Sequence, residues 1–469
     1  MKKILALALA LCMIFALCAC GQTAAPAPAA ESKPAEAAPA PAAEAAAPAA
    51  AAKTVINLYS FTDEVPKMVD RYLELHPDFA EKYEVKTTIQ ATTDGGYQIM
   101  LDQALATGGA DAPDLYCAES AFVIKYTSGS ASQYAAAYKD LGIDVDTLIP
   151  AAEIAPYSVE IGTRDGDVVA LAYQATGGAF IYRRSIAKDV WGSDDPATVE
   201  AAIGAGTQSW DKFWEAAEQL KAKGYAIVSG DGDIWHAIEN SSDTPWVVDG
   251  KLNIDPKREE FLDMSLKLKE NNYHNETQDW QDAWYADMKD AGEKKVLGYY
   301  GPAWLINYVI AGNSGDTYGD WAACAPNVGF LWGGTWLIAN KAVVGTDKAA
   351  GVAEIIKWIT LDTSETGLQY GWANGNWSGE QGTKDTVASN VVMKKSDGTL
   401  DFLGGQNMFD VFTKANDAAN GRVLTQYDET INNYWRDAVR QYVAGNLTRD
   451  EAIEAFKQNI ADNLDIIVE

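Results

Sequence analysis

The sequence predicts an α/β protein of two domains, because segments of strand length and of helix length alternate along a chain of 469 residues. A chain of this length exceeds the usual size of one domain and suits two. A short apolar run at residues 55–59 is typical of a buried parallel strand, and residues 85–89 and 114–118 are predicted as the second and third strands. Strands that alternate with helices predict βαβ units and a parallel sheet.

The predicted helices have regular apolar spacing and recognisable ends. Apolar residues recur at helical spacing over residues 65–73 and 97–105; Pro77 closes the first segment and Gly108-Gly109 the second. Further strands are predicted at 168–173, 179–183, 296–300 and 336–339. Further helices are predicted at 210–223, 261–269, from Gly301-Pro302 to about 311, and at 349–360. Thr448 and Glu451 match a capping box before a last helix.

Charge and motif content exclude several classes of function. The chain has 37 Lys and Arg against 66 Asp and Glu, a net charge of −29. So acidic a chain lacks the basic face that binding nucleic acid or an anionic membrane surface requires. It has only three histidines, so a His-based metal site or triad has few places to form. No Walker A, HExxH or GxSxG element is present, and we predict no cofactor and no metal.

The N-terminus reads as an export signal. Lys2 and Lys3 precede an unbroken apolar run at residues 4–19, which is shorter than the about 20 residues of a membrane-spanning helix. The run ends in Leu17-Cys18-Ala19-Cys20-Gly21, which resembles a bacterial lipobox. The resemblance implies a signal peptide at 1–19 and acylation of Cys20, which would anchor the chain to a membrane. A plain secretory signal with an incidental cysteine is the alternative.

Residues 20–53 are predicted to be a linker. From residue 23 the segment is almost wholly Ala, Pro and Glu and has no hydrophobic periodicity, so it cannot fold alone. Beyond it only Cys117 and Cys324 remain, each in an apolar stretch. Two buried thiols are favoured over a disulfide.

Several ordered phrases resemble the family 1 extracellular solute-binding proteins of ABC importers, the relatives of maltose-binding protein. They are LELHP, YQIMLDQALATGGADAPDL from Tyr97, DVVALAYQATGGAFIYRR from Asp167, WDKFWEAAEQL from Trp210, KKVLGYYGPAW from Lys294, GGTWLIAN from Gly333 and the tail from Tyr434. The resemblance covers residues 54–469. It implies a periplasmic-binding-protein fold of type II-like form, a membrane permease as partner, a monomer without enzymatic activity, and a location on the outer face of the cytoplasmic membrane.

The family fold has two lobes, each a sheet flanked by helices, and the chain crosses between them three times at hinges. The resemblance places the crossings near 173–178, 330–335 and 372–376. The N-lobe would then contain 54–175 and 335–372, and the C-lobe 176–334 and 373–469. Glycines in each crossing suit segments that change backbone conformation.

Candidate ligand-binding residues follow from the rule that ligands sit beyond the carboxyl ends of strands in open α/β sheets. Aromatic planes stack on sugar rings, and carboxylates and amides bind hydroxyl groups. The candidates are Tyr59, Asp63, Glu119, Tyr173, Gln174, Trp304, Trp332, Trp336, Trp372 and Trp377. Only Trp304, in the GPAW phrase, is carried over from the family itself.

Each candidate has a structural alternative. Stacking on ligand is favoured over core packing for Trp304, and the two are evenly matched for Trp372 and Trp377. Asp63 could merely stabilise a helix N-terminus. The spacing of Trp280 and Trp284 equally fits one face of a helix. The Asp231-Gly232-Asp233 sequence is favoured as a turn over half a calcium loop.

Three functions remain open from the sequence. The favoured one is a lipid-anchored receptor that captures a carbohydrate, with more than one sugar ring, and delivers it to an ABC importer. The second is a receptor of the same fold for a non-sugar such as a polyamine, which the acidic composition keeps open. The third is an extracellular glycoside hydrolase, which needs two carboxylates across a cleft.

Overall fold

A computed structural model describes residues 52–377 and 382–469. The predicted signal peptide 1–19, Cys20 and nearly all of the linker 20–53 lie outside these residues. Within the described ranges, no helix is long and apolar enough to cross a membrane. Residues 53–469 form one compact unit.

Eight strands build two main sheets. In chain order they are β1 Thr54–Ser60, β2 Tyr83–Ile89, β3 Leu115–Glu119, β4 Ala170–Ala172, β5 Ala179–Arg183, β6 Gly298–Gly301, β7 Trp321–Cys324 and β8 Thr335–Ala339. Two-residue strands pair as Thr163–Arg164 with Asp167–Val168, Val247–Val248 with Lys251–Leu252, and Thr399–Leu400 with Gln406–Asn407. The predicted strand at 168–173 is therefore divided at residue 169.

The first sheet has five strands in the order β2-β1-β3-β8-β4. β1 runs parallel to β2 and β3, whereas β8 is antiparallel to β3 and β4. Residues 115–118 of β3 are wholly buried because helices cover both faces of the sheet. β8 is far from its neighbours in sequence, since the whole second sheet lies between them along the chain.

The second sheet has three strands in the order β6-β5-β7, and both pairings are antiparallel. The prediction of parallel βαβ units is therefore wrong for this sheet. A strand buried on both faces is a continuous apolar run in either direction, so the pattern does not reveal strand polarity. We call the body around the first sheet the first lobe and the body around the second sheet the second lobe.

Nineteen α-helices lie within the described residues. In chain order, α1 to α10 are Glu64–Leu75, Pro77–Lys82, Gly96–Thr107, Val123–Thr127, Val145–Ala152, Pro156–Ile161, Arg184–Trp191, Pro196–Ile203, Asp211–Ala222 and Gly232–Ser241. α11 to α19 are Pro256–Glu270, Asp282–Asp287, Ala311–Asn313, Ala349–Thr360, Leu368–Ala373, Asn390–Lys395, Phe409–Ala418, Asp428–Val443 and Arg449–Asn463. The predicted capping box of α19 is confirmed, since Thr448 and Glu451 bond each other's backbone reciprocally.

Other helical turns are short. The 3₁₀ turns are Thr93–Gly95, Ser132–Tyr134, Tyr138–Leu141, Gly315–Thr317, Lys341–Val343 and Asp401–Leu403. The segment after Gly301-Pro302 differs from the predicted α-helix, because Leu305–Ile310 is a π-helix that continues into α13. Apolar periodicity does not distinguish the two helix types over so few residues.

Two connections between the lobes run side by side, the first around residues 173–178 and the second around residues 330–335. The Gly178 N–H donates to the carbonyl of Phe330 (2.8 Å), and the Trp332 N–H donates to that of Thr176 (3.1 Å). Gly178 has no room for a side chain, since a Cβ there would lie 1.9 Å from the Phe330 ring. These two connections therefore form one short, tightly packed ribbon.

The segment around residues 385–390, which is predicted to belong to the C-lobe, contacts the first lobe. The Ala388 N–H donates to the carbonyl of Tyr173 (2.8 Å), and the Ser389 hydroxyl donates to that of Ala152 (2.6 Å). Farther on, the Gln406 side chain exchanges hydrogen bonds with the backbone of Ala323 in β7. The chain therefore passes from the first lobe to the second lobe between residues 389 and 406.

Candidate functional site

A cavity of about 120 Å³ lies between the two lobes. The first lobe contributes the residues that follow β3. The second lobe contributes the end of α10 and the start of α18, together with the connection that leads into β8. The lining residues are Glu119, Ser120, Ala121, His236, Glu239, Asn240, Leu331, Trp332, Gly333, Leu424, Asp428, Glu429 and Asn432. We call this space the interlobe cavity.

Glu119 lies at the carboxyl end of β3, where an open α/β sheet places its ligand-binding side chains. One carboxylate oxygen accepts from the Ala121 N–H (2.8 Å) and the other from the Ser120 hydroxyl (2.7 Å). Burial nevertheless raises the pKa of this carboxyl above its ordinary value, against the effect of those hydrogen bonds. The side chain is therefore fixed in place, beside Gly333 of the second connection.

The second lobe supplies three more carboxyl groups. Burial opposes ionisation of Glu239, but hydrogen bonding and charge from His236 keep its pKa below the ordinary value. Burial, with the nearby charge of Glu239, raises the pKa of Asp428 to about 7. Burial also raises the pKa of Glu429. The lining named above contains no lysine or arginine, so the cavity is acidic.

Three tryptophans, Trp280, Trp304 and Trp332, form an aromatic wall beside this cavity. The rings of Trp280 and Trp304 are nearly parallel, with centroids 6.1 Å apart, and Trp332 meets both edge-on. The Trp304 indole N–H donates to the carbonyl of Trp332 (2.9 Å). His236 stacks on Trp332 with centroids 4.4 Å apart, which joins the wall to the carboxylate cluster.

Backbone conformation at the wall is unusual at two positions. Trp280 is nearly half exposed and has φ +67°, a conformation that costs a non-glycine residue about 1–3 kcal/mol. Gly333 has φ +81°, and a Cβ there would stand 3.3 Å from the Trp304 indole nitrogen and 3.7 Å from a Glu119 carboxylate oxygen. Glycine therefore allows the two lobes' side chains to approach each other here.

The structure brings Glu119, Trp304 and Trp332 together out of the predicted set. Tyr59 ends a neighbouring strand but uses its hydroxyl on the carbonyl of Asp111 (3.0 Å). Asp63 is exposed, precedes α1 and pairs with a lysine one turn along.

Tyr173, Gln174 and Trp372 lie elsewhere, in the interior around the first connection. Gln174 donates to the carboxylate of Asp385 (2.6 Å), whose pKa burial raises to about 7. Tyr173 meets Trp372 edge-on at 5.5 Å, and each is 1% exposed. Glu64 lies beside Tyr173 and carries a pKa that burial raises.

Two predicted tryptophans pack within the first lobe. Trp336 is fully buried and donates to the carbonyl of Ser158 (3.0 Å). Trp377 packs near Trp358, with the guanidinium of Arg71 5.5 Å from its ring centroid. Position next to a glycine-rich connection therefore does not by itself expose an indole ring.

Three residues of the cavity are absent from the predicted set, namely His236, Glu239 and Asp428. The first two lie one turn apart on α10, and Asp428 begins α18, so only the fold brings them together. The turn predicted at Asp231-Gly232-Asp233 is instead the start of α10, where Asp233 accepts hydrogen bonds from the backbone of Ser229 and Gly230 and from the indole of Trp284. Among the described residues, no group of His, Cys, Asp and Glu is arranged to hold a metal ion.

The family profile of the bacterial extracellular solute-binding proteins matches residues 67–395, which is more than half of the chain. The chain belongs to this family. No curated protein sequence matches this solute-binding protein. The members of this family are extracellular proteins that bind solutes.

Solved structures of extracellular solute-binding and sugar-binding proteins share the fold of this solute-binding protein. A family 1 extracellular solute-binding protein is 18% identical, with a TM-score of 0.70, covering 87% of this chain and 99% of its own. The galacto-N-biose-/lacto-N-biose I-binding protein from Bifidobacterium longum is 16% identical (TM-score 0.61, coverage 89% and 99%). MalE from Xanthomonas citri is 13% identical (TM-score 0.62, coverage 87% and 97%). The fold is thus the two-lobe fold of periplasmic binding proteins.

Proposed function

We propose that this protein is a lipid-anchored receptor that captures an oligosaccharide between its lobes and delivers it to the permease of an ABC importer. The observation that carries the proposal is the aromatic wall of Trp280, Trp304 and Trp332 beside a cavity of hydrogen-bonding side chains. Flat indole faces match the CH faces of sugar rings, and carboxylates accept hydrogen bonds from hydroxyl groups. The binding proteins from Bifidobacterium and Xanthomonas support the same class of ligand.

The two lobes would bind the sugar from opposite sides. Glu119 accepts from hydroxyl groups on the first-lobe side, whereas Trp304 and Trp332 stack against a ring on the second-lobe side. A ligand that touches both lobes favours the closed arrangement over the open one. The strained backbone of Trp280 suits a residue held in place for binding. Because the wall contains three indole rings, it favours a ligand of more than one sugar unit.

The buried candidates take a supporting part in this proposal. Trp336 and Trp372 are at most 1% exposed and offer no ring face to a ligand. Gln174, through its bond to Asp385, stabilises the first connection instead. The proposal includes no sugar contact for Tyr59, Asp63 or Trp377.

The decisive experiment measures binding of a panel of mono- and oligosaccharides to the purified full chain by calorimetry and thermal shift. A sugar at 100 times its dissociation constant stabilises the fold by about 2.7 kcal/mol. Trp304→Ala is expected to weaken binding at least about tenfold, a loss of about 1.4 kcal/mol. Trp191→Ala is the matched control, since this tryptophan lies at the end of α7 and bonds Gln219. Equal losses in both variants, or consumption of the sugar, would refute the receptor.

A second candidate ligand is a polyamine, because four carboxyl groups and no lysine or arginine line the interlobe cavity. A polycation would replace the missing positive charge and favour ionisation of Glu119. Spermidine therefore belongs in the same panel. Binding of spermidine alone, weakened by Glu119→Gln and by added salt, would select this candidate over the sugar.

Lipid anchoring at Cys20 is tested separately in cells. The full chain is expected to fractionate with membranes and to incorporate labelled palmitate. Cys20→Ser should abolish both while leaving sugar binding intact. Recovery of label in Cys20→Ser, or an unmodified wild-type chain released to the medium, would contradict the anchor.

A further inference from the structure

A separate cavity of about 250 Å³ lies in the second lobe, between the start of α9, the end of α10 and α11. We call it the second-lobe pocket. Its floor consists of the buried apolar side chains Ile238, Met264 and Val328. Trp210 and Trp214 also line it, and both rings are half-buried. The pocket therefore combines an apolar floor with two aromatic walls.

The walls are held rigidly by their neighbours. Trp210 packs against Phe213 and Tyr300, with centroids 5.1 and 5.8 Å away. The ammonium of Lys267 lies 4.1 Å from the ring centroid of Trp214 and so covers one face. Each ring has one side fixed to the protein while the rest of it borders the pocket. Such pre-positioned rings bind ligand without a cost of ordering side chains.

The rim has unused hydrogen-bonding capacity. Within the described ranges, the amide of Gln208 and the carboxylates of Asp211 and Glu260 form no hydrogen bond or ion pair. The indole N–H groups of Trp210 and Trp214 are likewise unbonded there. The Lys257 ammonium adds a positive charge to the rim and donates to the carbonyl of Ser241 (2.7 Å) and to the carboxylate of Asp243 (2.9 Å). Donors and acceptors of both charges thus surround the aromatic walls.

This chemistry selects a small, neutral, polyhydroxylated ring. Hydroxyl groups donate and accept, so they can use amide, carboxylate, ammonium and indole groups together. Carboxylates and an ammonium on one rim disfavour a ligand of strong single charge. The volume lies below the range of about 300–1,000 Å³ typical of drug-sized ligands. A single sugar ring matches a pocket of this size.

The pocket shares structural elements with the interlobe cavity but has different lining residues. Ile238 and Ser241 of α10 line the pocket, whereas His236, Glu239 and Asn240 line the cavity. The Gln208 N–H also donates to the carbonyl of Asn327 (2.9 Å), in the segment that leads into the second connection. The two spaces are therefore neighbours across one helix.

We propose that the second-lobe pocket, walled by Trp210 and Trp214, binds a single neutral sugar ring independently of the interlobe cavity. The test labels the full chain with 5-fluorotryptophan and assigns the Trp210 and Trp214 signals by Trp→Phe variants. Glucose, galactose, mannose, N-acetylglucosamine and xylose are titrated to tens of millimolar, and fluorine NMR follows each tryptophan.

We expect at least one sugar to shift the Trp210 and Trp214 signals, and the shift to persist in Trp304→Ala. The rim variant Gln208→Ala/Glu260→Ala should weaken this binding about tenfold, or about 1.4 kcal/mol, while leaving the Trp304 signal at its original position. No shift with any sugar would overturn the proposal. A shift that vanishes in Trp304→Ala would also overturn it, because the sugar would then be bound in the interlobe cavity. A shift that the rim variant does not weaken would overturn it as well. The signals of Trp304 and Trp332 report the cavity separately, so failure of either site is distinguishable.

Discussion

Replacement of Asp428 by asparagine should make the protein more stable at alkaline pH and less stable at acidic pH. Asp428 is 3% exposed, begins α18 and accepts hydrogen bonds from the backbone and hydroxyl of Thr425. Burial and the charge of Glu239 raise its pKa from 3.8 to about 7. The folded state therefore binds the proton more tightly than the unfolded state does. This destabilises the fold as pH rises from about 4 to about 7, with the full penalty present above that range.

The magnitude follows from the two pKa values. A shift of about three units, at 1.36 kcal/mol each, corresponds to about 4 kcal/mol above pH 7. Between pH 4.5 and pH 8 the change is about 3 kcal/mol, because part of the penalty is already present at pH 4.5. Asparagine avoids the charge but loses part of the hydrogen bonding to Thr425, at about 1 kcal/mol. Asp428→Asn should thus gain about 3 kcal/mol over the wild type at pH 8, equal it near pH 4.5, and fall below it only at more acidic pH.

Urea unfolding followed by tryptophan fluorescence at a series of pH values measures this difference. Asp450→Asn is the control, since Asp450 likewise lies in the first turn of a helix but is exposed. Its stability relative to the wild type should be nearly independent of pH. If the Asp428→Asn and wild-type curves run parallel between pH 4.5 and 8, the buried carboxyl does not titrate as argued and the reasoning fails.

Three further predictions concern packing and charge. Arg183→Met should lower the free energy of unfolding by about 3–5 kcal/mol in urea titrations, because the carboxylates of Asp290 and Asp320 would lose the buried guanidinium that pairs with both. A loss below about 1 kcal/mol would contradict this. Gly178→Ala should lower the free energy of unfolding by up to about 3 kcal/mol, because the added methyl group would overlap the Phe330 ring. Gly312→Ala has open space around it and should leave stability unchanged or raise it, so equal melting temperatures of the two variants would refute the contrast. Cys117 and Cys324 are buried free thiols whose pKa values burial raises, so neither should react with Ellman's reagent until the chain unfolds. Rapid labelling of the native protein would disprove their burial.

Local features of the fold were predictable from sequence where they depend on nearby residues. The first strands and helices, the end of α9 near Gly224 and the capping box of α19 follow from spacing and punctuation a few residues apart. Strand direction in the second sheet did not follow, because β5, β6 and β7 are buried apolar runs whose order depends on distant pairing. The same holds for the position of β8 inside the first sheet.

The candidate site was predictable only in part. Glu119 ends one strand and Trp304 follows another, so a general rule about strand ends identifies them. Trp332 precedes and Trp336 follows the same two glycines, but Trp336 lies inside a strand, where alternate side chains turn to the core. His236 and Asp428 carry no local signal at all, since helices far apart in sequence bring them to one cavity.

The placement of β8 has a consequence for how the chain acquires its structure. This strand lies between β3 and β4, yet it is separated from them along the chain by all three strands of the second sheet. Until residue 339 has left the ribosome, β3 and β4 each keep an unpaired edge, and such edges recruit strands from other molecules. Long-range closure of this kind slows folding and exposes intermediates to aggregation. A chain that ends before residue 335 should therefore be a client of chaperones rather than a smaller, folded version of this protein.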